Sequence, residues 1–185
     1  MKSLRVLVPV VLLSLCAMAV AQSDAQKSFD KIKTLEGSWE GHVTTTPPHP
    51  DIDGKAIQVS LRVTSMGNAV VHEMTGMGRP DHPVTMVYLD GDRLVLTHYC
   101  DAGNRPRMAG KTLADGKTVD FDFLDVSGSL QYGHMHHADF TEIDANHHSE
   151  DWTSWSPGTS RCGRTWSCSG RNDGKRMFSK VIGNP

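Results

Sequence analysis

Short stretches of alternating apolar and polar residues, separated by tight-turn sequences, constrain the fold of this chain most strongly. The segment 56–66 shows the pattern clearly, because every second position from Ile57 to Val63 is apolar. Asp90-Gly91-Asp92 and the turn at 114–117 each join two such stretches and favour hairpins. The sequence therefore predicts about ten short strands, mostly joined by hairpins.

The strand order along the chain predicts how the sheet closes. We expect strands over 38–46, 56–66, 69–77, 84–89, 94–100, 107–113, 118–126, 134–143, 147–155 and 160–170. Hairpin-linked strands form an antiparallel meander, and closing the meander removes its exposed edges. The predicted fold class is all-β: a single antiparallel up-and-down β-barrel of about eight to ten strands. Barrels of this size can enclose one small ligand.

The residues before the first strand predict one short amphipathic helix. Ser23 can cap its N-terminus, and apolar residues recur at a spacing of three from Phe29 to Leu35. Such a spacing places them on one face of the helix. The predicted barrel therefore carries one short N-terminal helix and no other.

The first 21 residues have the features of a secretory signal peptide. Lys2 and Arg5 precede an apolar run over 6–20, and small residues at 19 and 21 fit cleavage after Ala21. We expect an exported protein, periplasmic or secreted. Its predicted organisation is a signal peptide at 1–21, a barrel over 22–171 and a C-terminal extension over 172–185.

Charge and hydropathy exclude two classes of partner. The chain has 19 Lys and Arg and 21 Asp and Glu, and loss of Lys2 and Arg5 with the signal peptide leaves 17 basic residues. A nucleic-acid-binding protein needs a basic surface, so we expect no nucleic-acid partner. No second apolar run approaches bilayer length, so we expect no membrane anchor after cleavage. A small-molecule ligand remains the expected partner.

Several motifs together resemble a known family. They are Gly37-Ser38-Trp39 at the first strand, the segments 89–100, 103–108 and 133–136, and Trp152. In these motifs the chain resembles an uncharacterised family of exported bacterial lipocalin-like proteins, a domain of unknown function, over residues 28–171. The resemblance implies a calycin-type barrel with Trp39 over its floor. It implies no established activity.

The histidines are the first candidates for chemistry, because ten of them occur in 185 residues. His134 and His136 are two apart on a predicted strand and should share a face. His98 shares a face with Leu94 and Leu96, and His72 is expected to point inward in the same way. We predict a metal site at His98, His134 and His136, with zinc or haem iron as the possible cofactor. The alternative is that each histidine is only a hydrogen-bonded barrel residue.

A second set of residues is predicted to contact a ligand. The set consists of His72, His98, Asn104, Arg107 and His136. Asn104 and Arg107 are expected at the barrel mouth, where the guanidinium suits a carboxylate or phosphate. The alternative for Arg107 is an ion pair with an acidic neighbour such as Asp101.

The remaining polar pairs are interpreted as surface. His137 opposes His136 and is expected to face water, and the stretch from His147 to Asp151 is interpreted as a solvated hairpin end. Asp120 and Asp122 share one face of a strand, which they should make the wet side.

Three functional hypotheses follow. The leading one is a barrel that binds a small, partly apolar ligand in its interior. The alternative is a metal- or haem-binding protein, enzymatic or not, that uses the histidine cluster. The third is an interaction module whose outer surface matters. The sequence contains no Gly-x-Ser-x-Gly, phosphate-loop or His-Glu-x-x-His motif, so it leaves open whether the protein is an enzyme.

Overall fold

One α-helix, one short 3₁₀ helix and ten strands are the regular elements of the described part of the chain. The structure is a computed structural model and describes residues 22–76, 78 and 82–157, and the backbone of 164–172. The helix is α1 (Asp24–Lys33); the strands are β1 (Gly37–Thr46), β2 (Ala56–Thr64), β3 (Ala69–Gly76), β4 (Val84–Asp90), β5 (Arg93–Tyr99), β6 (Asn104–Thr112), β7 (Thr118–Gly128), β8 (His134–Asp144), β9 (His147–Trp155) and β10 (Arg164–Asn172). The predicted signal peptide and the predicted extension beyond residue 172 lie outside the described residues.

The ten strands form a closed antiparallel barrel. Each strand pairs with its neighbours in sequence, and β10 pairs with β1 in a register that places Trp39 opposite Asn172. The predicted fold class is therefore confirmed. β6 begins at Asn104, three residues before the predicted start, because the hairpin from β5 turns within 100–103.

Helix α1 closes one end of the barrel. The Ser23 hydroxyl accepts a hydrogen bond from the Gln26 N–H at 3.2 Å, which confirms the predicted cap. Phe29 and Ile32 are buried in the barrel core. The Trp39 indole donates to the carbonyl oxygen of Leu35 at 2.9 Å, which holds Trp39 at the end of the barrel that the helix closes. The opposite end, where β1, β3, β5, β7 and β9 terminate, is called the distal end below.

Alternating burial along the strands confirms the predicted inward faces. In β2 the side chains of Ile57, Val59 and Leu61 are buried, and the residues between them are more exposed. Gly110 shows how tightly the interior is packed, since a Cβ at this position would lie 2.5 Å from the Phe121 ring. Leaving out that side chain lets Phe121 fill the space.

Two strands carry irregularities near the distal end. The β6–β7 register shifts between Arg107 and Met108, and the β8–β9 register shifts between Met135 and His137. A shift of this kind redirects the side chains that follow it. Among the described residues, no helix is long and apolar enough to cross a bilayer.

Candidate functional site

Two groups of histidines lie in or on the barrel interior. The central cluster consists of His72, His98, His148, Glu150 and Trp152, all nearly or fully buried. The rim cluster consists of Asn104, Phe123, His134, His136 and Trp155, from β6, β7, β8 and β9 at the distal end.

Glu150 is the centre of the first cluster. Its carboxylate lies 3.0 and 3.1 Å from Nε2 of His72, 3.0 Å from Nε2 of His148 and 3.0 Å from Nε1 of Trp152. A carboxylate only accepts hydrogen bonds, so both imidazoles carry their proton on Nε2. Burial raises the pKa of Glu150, but the charge and hydrogen bonds of His72 and His148 lower the pKa further, to below its ordinary range. Glu150 is therefore an ionised carboxylate held by three donors.

His98 completes the central cluster as a neutral group. Its Nδ1 lies 2.9 Å from the Thr85 hydroxyl, and its ring centroid lies 5.2 Å from that of Trp152. Burial, with the neighbouring His72, lowers the pKa of His98 to about 3. The imidazole therefore stays uncharged at physiological pH.

Stacked rings build the rim cluster. The Phe123 ring lies 4.5 Å from His136 at 20° and 4.8 Å from His134 at 27° between ring planes. The His134 and His136 centroids are 5.4 Å apart, and Trp155 lies 5.4 Å from His134. The prediction that His134 and His136 lie together is therefore confirmed in geometry.

Asn104 fixes the loop beside these rings. Its Nδ2 donates to the carbonyl oxygens of Ser129 and Gly133, at 2.8 and 2.6 Å. Its Oδ1 is buried and has no hydrogen-bond partner, and the same holds for Nδ1 of His136. Burial, with the nearby His134 and His137, lowers the pKa of His136, which favours the neutral imidazole. The rim cluster thus combines stacked aromatic rings with two unsatisfied polar atoms.

The three histidines of the predicted metal site are not brought together. Within the described part of the chain, the only three residues of the types His, Cys, Asp and Glu whose ligand atoms lie within 4.8 Å of one another are Asp120, His137 and Asp139. His98 packs against Thr85 and Trp152, whereas His134 and His136 stack on Phe123. The structure therefore does not assemble a site from His98, His134 and His136.

Arg107 lies outside the barrel, which corrects its predicted place at the mouth. Arg107 pairs with Thr97, and its neighbours before and after it on β6 face inward. Its Nε donates to Asp125 Oδ1 at 2.9 Å. Hydrogen bonding and charge from Asp125 raise the pKa of Arg107 above its ordinary value. The expected alternative, an ion pair, is what forms, but with a cross-strand neighbour rather than Asp101.

His148 and Glu150 lie in the barrel interior, which corrects the prediction of a solvated hairpin end from His147 to Asp151. Both residues are buried, whereas His147 is exposed. Trp152 lies four residues after His148 and two after Glu150, on the same face of the strand. This apolar residue was the signal that the face points inward.

Comparisons with known proteins support the fold. No family model and no curated protein matches the chain. It is similar to the crystal structure of Rv2717c from M. tuberculosis, with a TM-score of 0.54 and 13% identity over 78% of this chain and 96% of that one. It is also similar to a protein of unknown function of the DUF3598 family from Nostoc punctiforme, with a TM-score of 0.51 and 12% identity over 76% of this chain and 48% of that one. At these identities the likeness shows a shared barrel fold, and the resemblance to exported lipocalin-like proteins stays a prediction.

Proposed function

We propose that this protein is an exported barrel that binds a small, partly apolar molecule at the rim cluster. One observation carries the proposal: His136 Nδ1 is buried without a partner on a ring that stacks on Phe123, and Oδ1 of Asn104, which binds the loop before His134, is buried without a partner as well. A buried polar atom without a partner costs about 1–3 kcal/mol. A ligand that pairs with these atoms recovers that cost and gains contact with the rings.

The chemistry of the rim cluster defines the ligand class. Asn104 Oδ1 only accepts, so the ligand bears an N–H or O–H group, while neutral His136 can donate or accept through Nδ1. The Phe123 and His134 faces favour a flat, conjugated ring. Leu130 and Tyr132 are exposed on the loop that Asn104 anchors and provide an apolar lip at the distal end.

In this proposal the central cluster stabilises the part of the barrel interior next to the rim cluster. His72 and His98, which were predicted to touch the ligand, both pack against Trp152. In this proposal they hold the interior wall rigid, and His98 presents a neutral surface to an apolar molecule. The ligand is therefore oriented mainly by Asn104 and His136.

Metal or haem ligation by His134 and His136 is the second candidate. Neutral imidazole is the form that binds metals, and His136 combines a lowered pKa with an unpartnered ring nitrogen. His98 does not join these two residues, so the remaining ligands of such a metal would come from outside the pair.

The test uses protein isolated from its native export route without a polyhistidine tag. Titration with the fluorescent probe 1-anilinonaphthalene-8-sulfonate, which has flat rings and an N–H group, should show saturable binding to the folded barrel. His136→Phe keeps a stacking ring but removes Nδ1, and should weaken binding at least about tenfold. His147→Phe, at an exposed position near α1, is the matched control and should leave binding unchanged.

Three outcomes decide between the candidates. Equal probe affinity in the native protein and in His136→Phe contradicts the rim site. Absence of both probe binding and a co-purified molecule, judged by native mass spectrometry, contradicts ligand binding altogether. About one metal ion or haem per chain, lost in His136→Phe, favours the second candidate.

A further inference from the structure

A third group of titratable side chains lies on the outside of the barrel. This outer cluster consists of Asp120 and Asp122 on β7 and His137 and Asp139 on β8. His137 Nε2 lies 3.2 Å from Asp139 Oδ2 and 3.5 Å from Asp120 Oδ2. His137 Nδ1 lies 3.3 Å from Asp122 Oδ1. Side-chain exposure is only 15% for Asp120 and 28% for His137 and Asp139, so three side chains of two ligand types converge in a mostly enclosed place.

The distances from His137 Nε2 to the two carboxylates also match those between the ligands of one metal ion. Charge-assisted N–H···O bonds are about 2.7–2.9 Å long. A tetrahedral ion with bonds of about 2.0–2.2 Å separates its ligand atoms by roughly 3.3–3.6 Å. His137 Nε2 faces both carboxylates near that separation, whereas one N–H could point well at only one of them.

The orientation of His137 matches that of a metal ligand. Asp122 Oδ1 can accept a hydrogen bond from Nδ1–H of His137, which leaves the Nε2 lone pair directed at Asp120 and Asp139. Metal-bound histidines commonly hold their second nitrogen against a carboxylate in this way. The strand register enforces the arrangement, because Asp122 pairs with His137 and Asp120 pairs with Asp139.

Among the described residues, the outer cluster has more carboxylates than cationic side chains. Asp139 Oδ1 is buried without a hydrogen-bond partner. Asp120, Asp139 and Asp151 stand opposite one another on β7, β8 and β9, an arrangement of like charges that is unfavourable in a sheet.

Lys111 does not remove this deficit. Its Nζ lies 3.6 Å from Asp120 Oδ1 and 3.7 Å from Asp122 Oδ2, on the side away from Asp139. The Oδ2 atom of Asp120 remains directed at His137. In the part of the chain that the structure describes, one lysine and one imidazole therefore lie against the three carboxylates of Asp120, Asp122 and Asp139.

We propose that Asp120, His137 and Asp139 bind one divalent transition-metal ion, with Asp122 orienting the imidazole. One imidazole and two carboxylates suit Zn²⁺ or Mn²⁺, whereas Ca²⁺ requires six to eight oxygen ligands. The ion joins β7 to β8 on the outer face. This site is separate from the rim cluster, since His136 stacks on Phe123 while His137 faces the carboxylates.

The test is calorimetric titration of the untagged full-length protein with Zn²⁺, Mn²⁺ and Ca²⁺ after treatment with a chelator. We expect about one Zn²⁺ or Mn²⁺ per chain, far weaker Ca²⁺ binding, and a higher melting temperature with the bound ion. Asp139→Asn and His137→Gln should each weaken binding at least about tenfold. Asp122→Asn should weaken it about 10–100-fold, as expected for a residue that orients a ligand.

Matched controls separate this site from other histidines. His147 pairs with Asp144 at 2.8 Å on an exposed hairpin, so His147→Gln removes a similar imidazole–carboxylate pair and should not change metal affinity. A His134→Ala, His136→Ala double variant should also retain the ion, whatever it does to the rim cluster. The proposal is overturned if the native protein binds neither Zn²⁺ nor Mn²⁺, or if His137→Gln and Asp139→Asn bind them as the native protein does.

Discussion

The central and outer clusters contain the same residue types in opposite proportions. At the centre, one carboxylate, Glu150, meets three nitrogen donors and is completely buried. On the outside, one imidazole, His137, meets three carboxylates. The first arrangement satisfies its charge internally, while the second leaves an excess of negative charge that an added cation would neutralise.

The difference shows where a ligand can bind. The charge of Glu150 is matched by its three donors, so the central cluster gains little from an added cation and contributes to stability, although Nδ1 of His72 and of His148 is also buried without a hydrogen-bond partner. The rim and outer clusters each retain a buried atom without a partner: His136 Nδ1 and Asn104 Oδ1 at the rim, and Asp139 Oδ1 outside. At the rim and on the outside, binding would relieve a cost already present in the fold.

Removing the central carboxylate should have the largest effect. Glu150→Ala leaves the N–H groups of His72, His148 and Trp152 buried without their acceptor. Loss of one partner from a buried charged pair typically costs about 3–5 kcal/mol. Chemical denaturation at neutral pH should therefore show a drop of that size in the free energy of unfolding. A decrease in the free energy of unfolding of less than about 1 kcal/mol would show that the central cluster does not stabilise the fold as proposed.

The pH dependence of stability tests the contribution of His98 in the central cluster. His98 has a folded pKa of about 3, below the unfolded value of about 6.5. The unfolded chain binds the extra proton between these values, so stability is complete above pH 6.5 and falls as the pH decreases towards 3. The contribution of one group is about 1.4 kcal/mol per pH unit.

His98→Gln should flatten that part of the profile while keeping a polar partner for Thr85. Urea unfolding measured at several pH values between 4 and 7 checks this. His147→Gln, at an exposed site, is the control. If His98→Gln and the native protein lose stability in parallel, His98 does not cause the acid sensitivity.

The outer cluster should respond to neutralisation in the opposite direction from Glu150. Asp139 has a raised pKa in the fold, so its ionised form opposes folding above its ordinary pKa. In chelator-treated protein, Asp139→Asn should leave stability unchanged or raise it by up to about 1 kcal/mol. Thermal unfolding at pH 7 and again at pH 4 measures this. Marked destabilisation at pH 7 would show that the cluster is balanced without a cation.

The smallest effect is expected at Arg107. Its ion pair with Asp125 is solvent-exposed, and such pairs contribute little to stability. Arg107→Ala should therefore leave both the denaturation midpoint and the probe affinity of the rim unchanged within error. Weakened probe binding in this variant would indicate that Arg107 contributes to the ligand site after all.

The sequence predicted the fold better than it predicted the site. Strand alternation and hairpin turns are local, and they gave the fold class, the helix cap and the inward positions of His72 and His98. Contacts across strands depend on register, which no single strand reveals. The pairing of Asp120 with Asp139 and of Arg107 with Asp125 therefore appeared only in the structure. Local polarity also led to a wrong prediction, because a glutamate such as Glu150 is expected at the surface unless its cross-strand partners are known.

The most direct test of ligand binding at the rim is nitrogen NMR of the imidazole side chains during titration with 1-anilinonaphthalene-8-sulfonate. The account predicts that the Nδ1 resonance of His136 shifts with saturation, because this atom gains a partner. The resonances of His72 and His148, tied to Glu150, should stay in place. Shifts at His72 and His148 with none at His136 would contradict the account and move the binding site to the centre of the barrel.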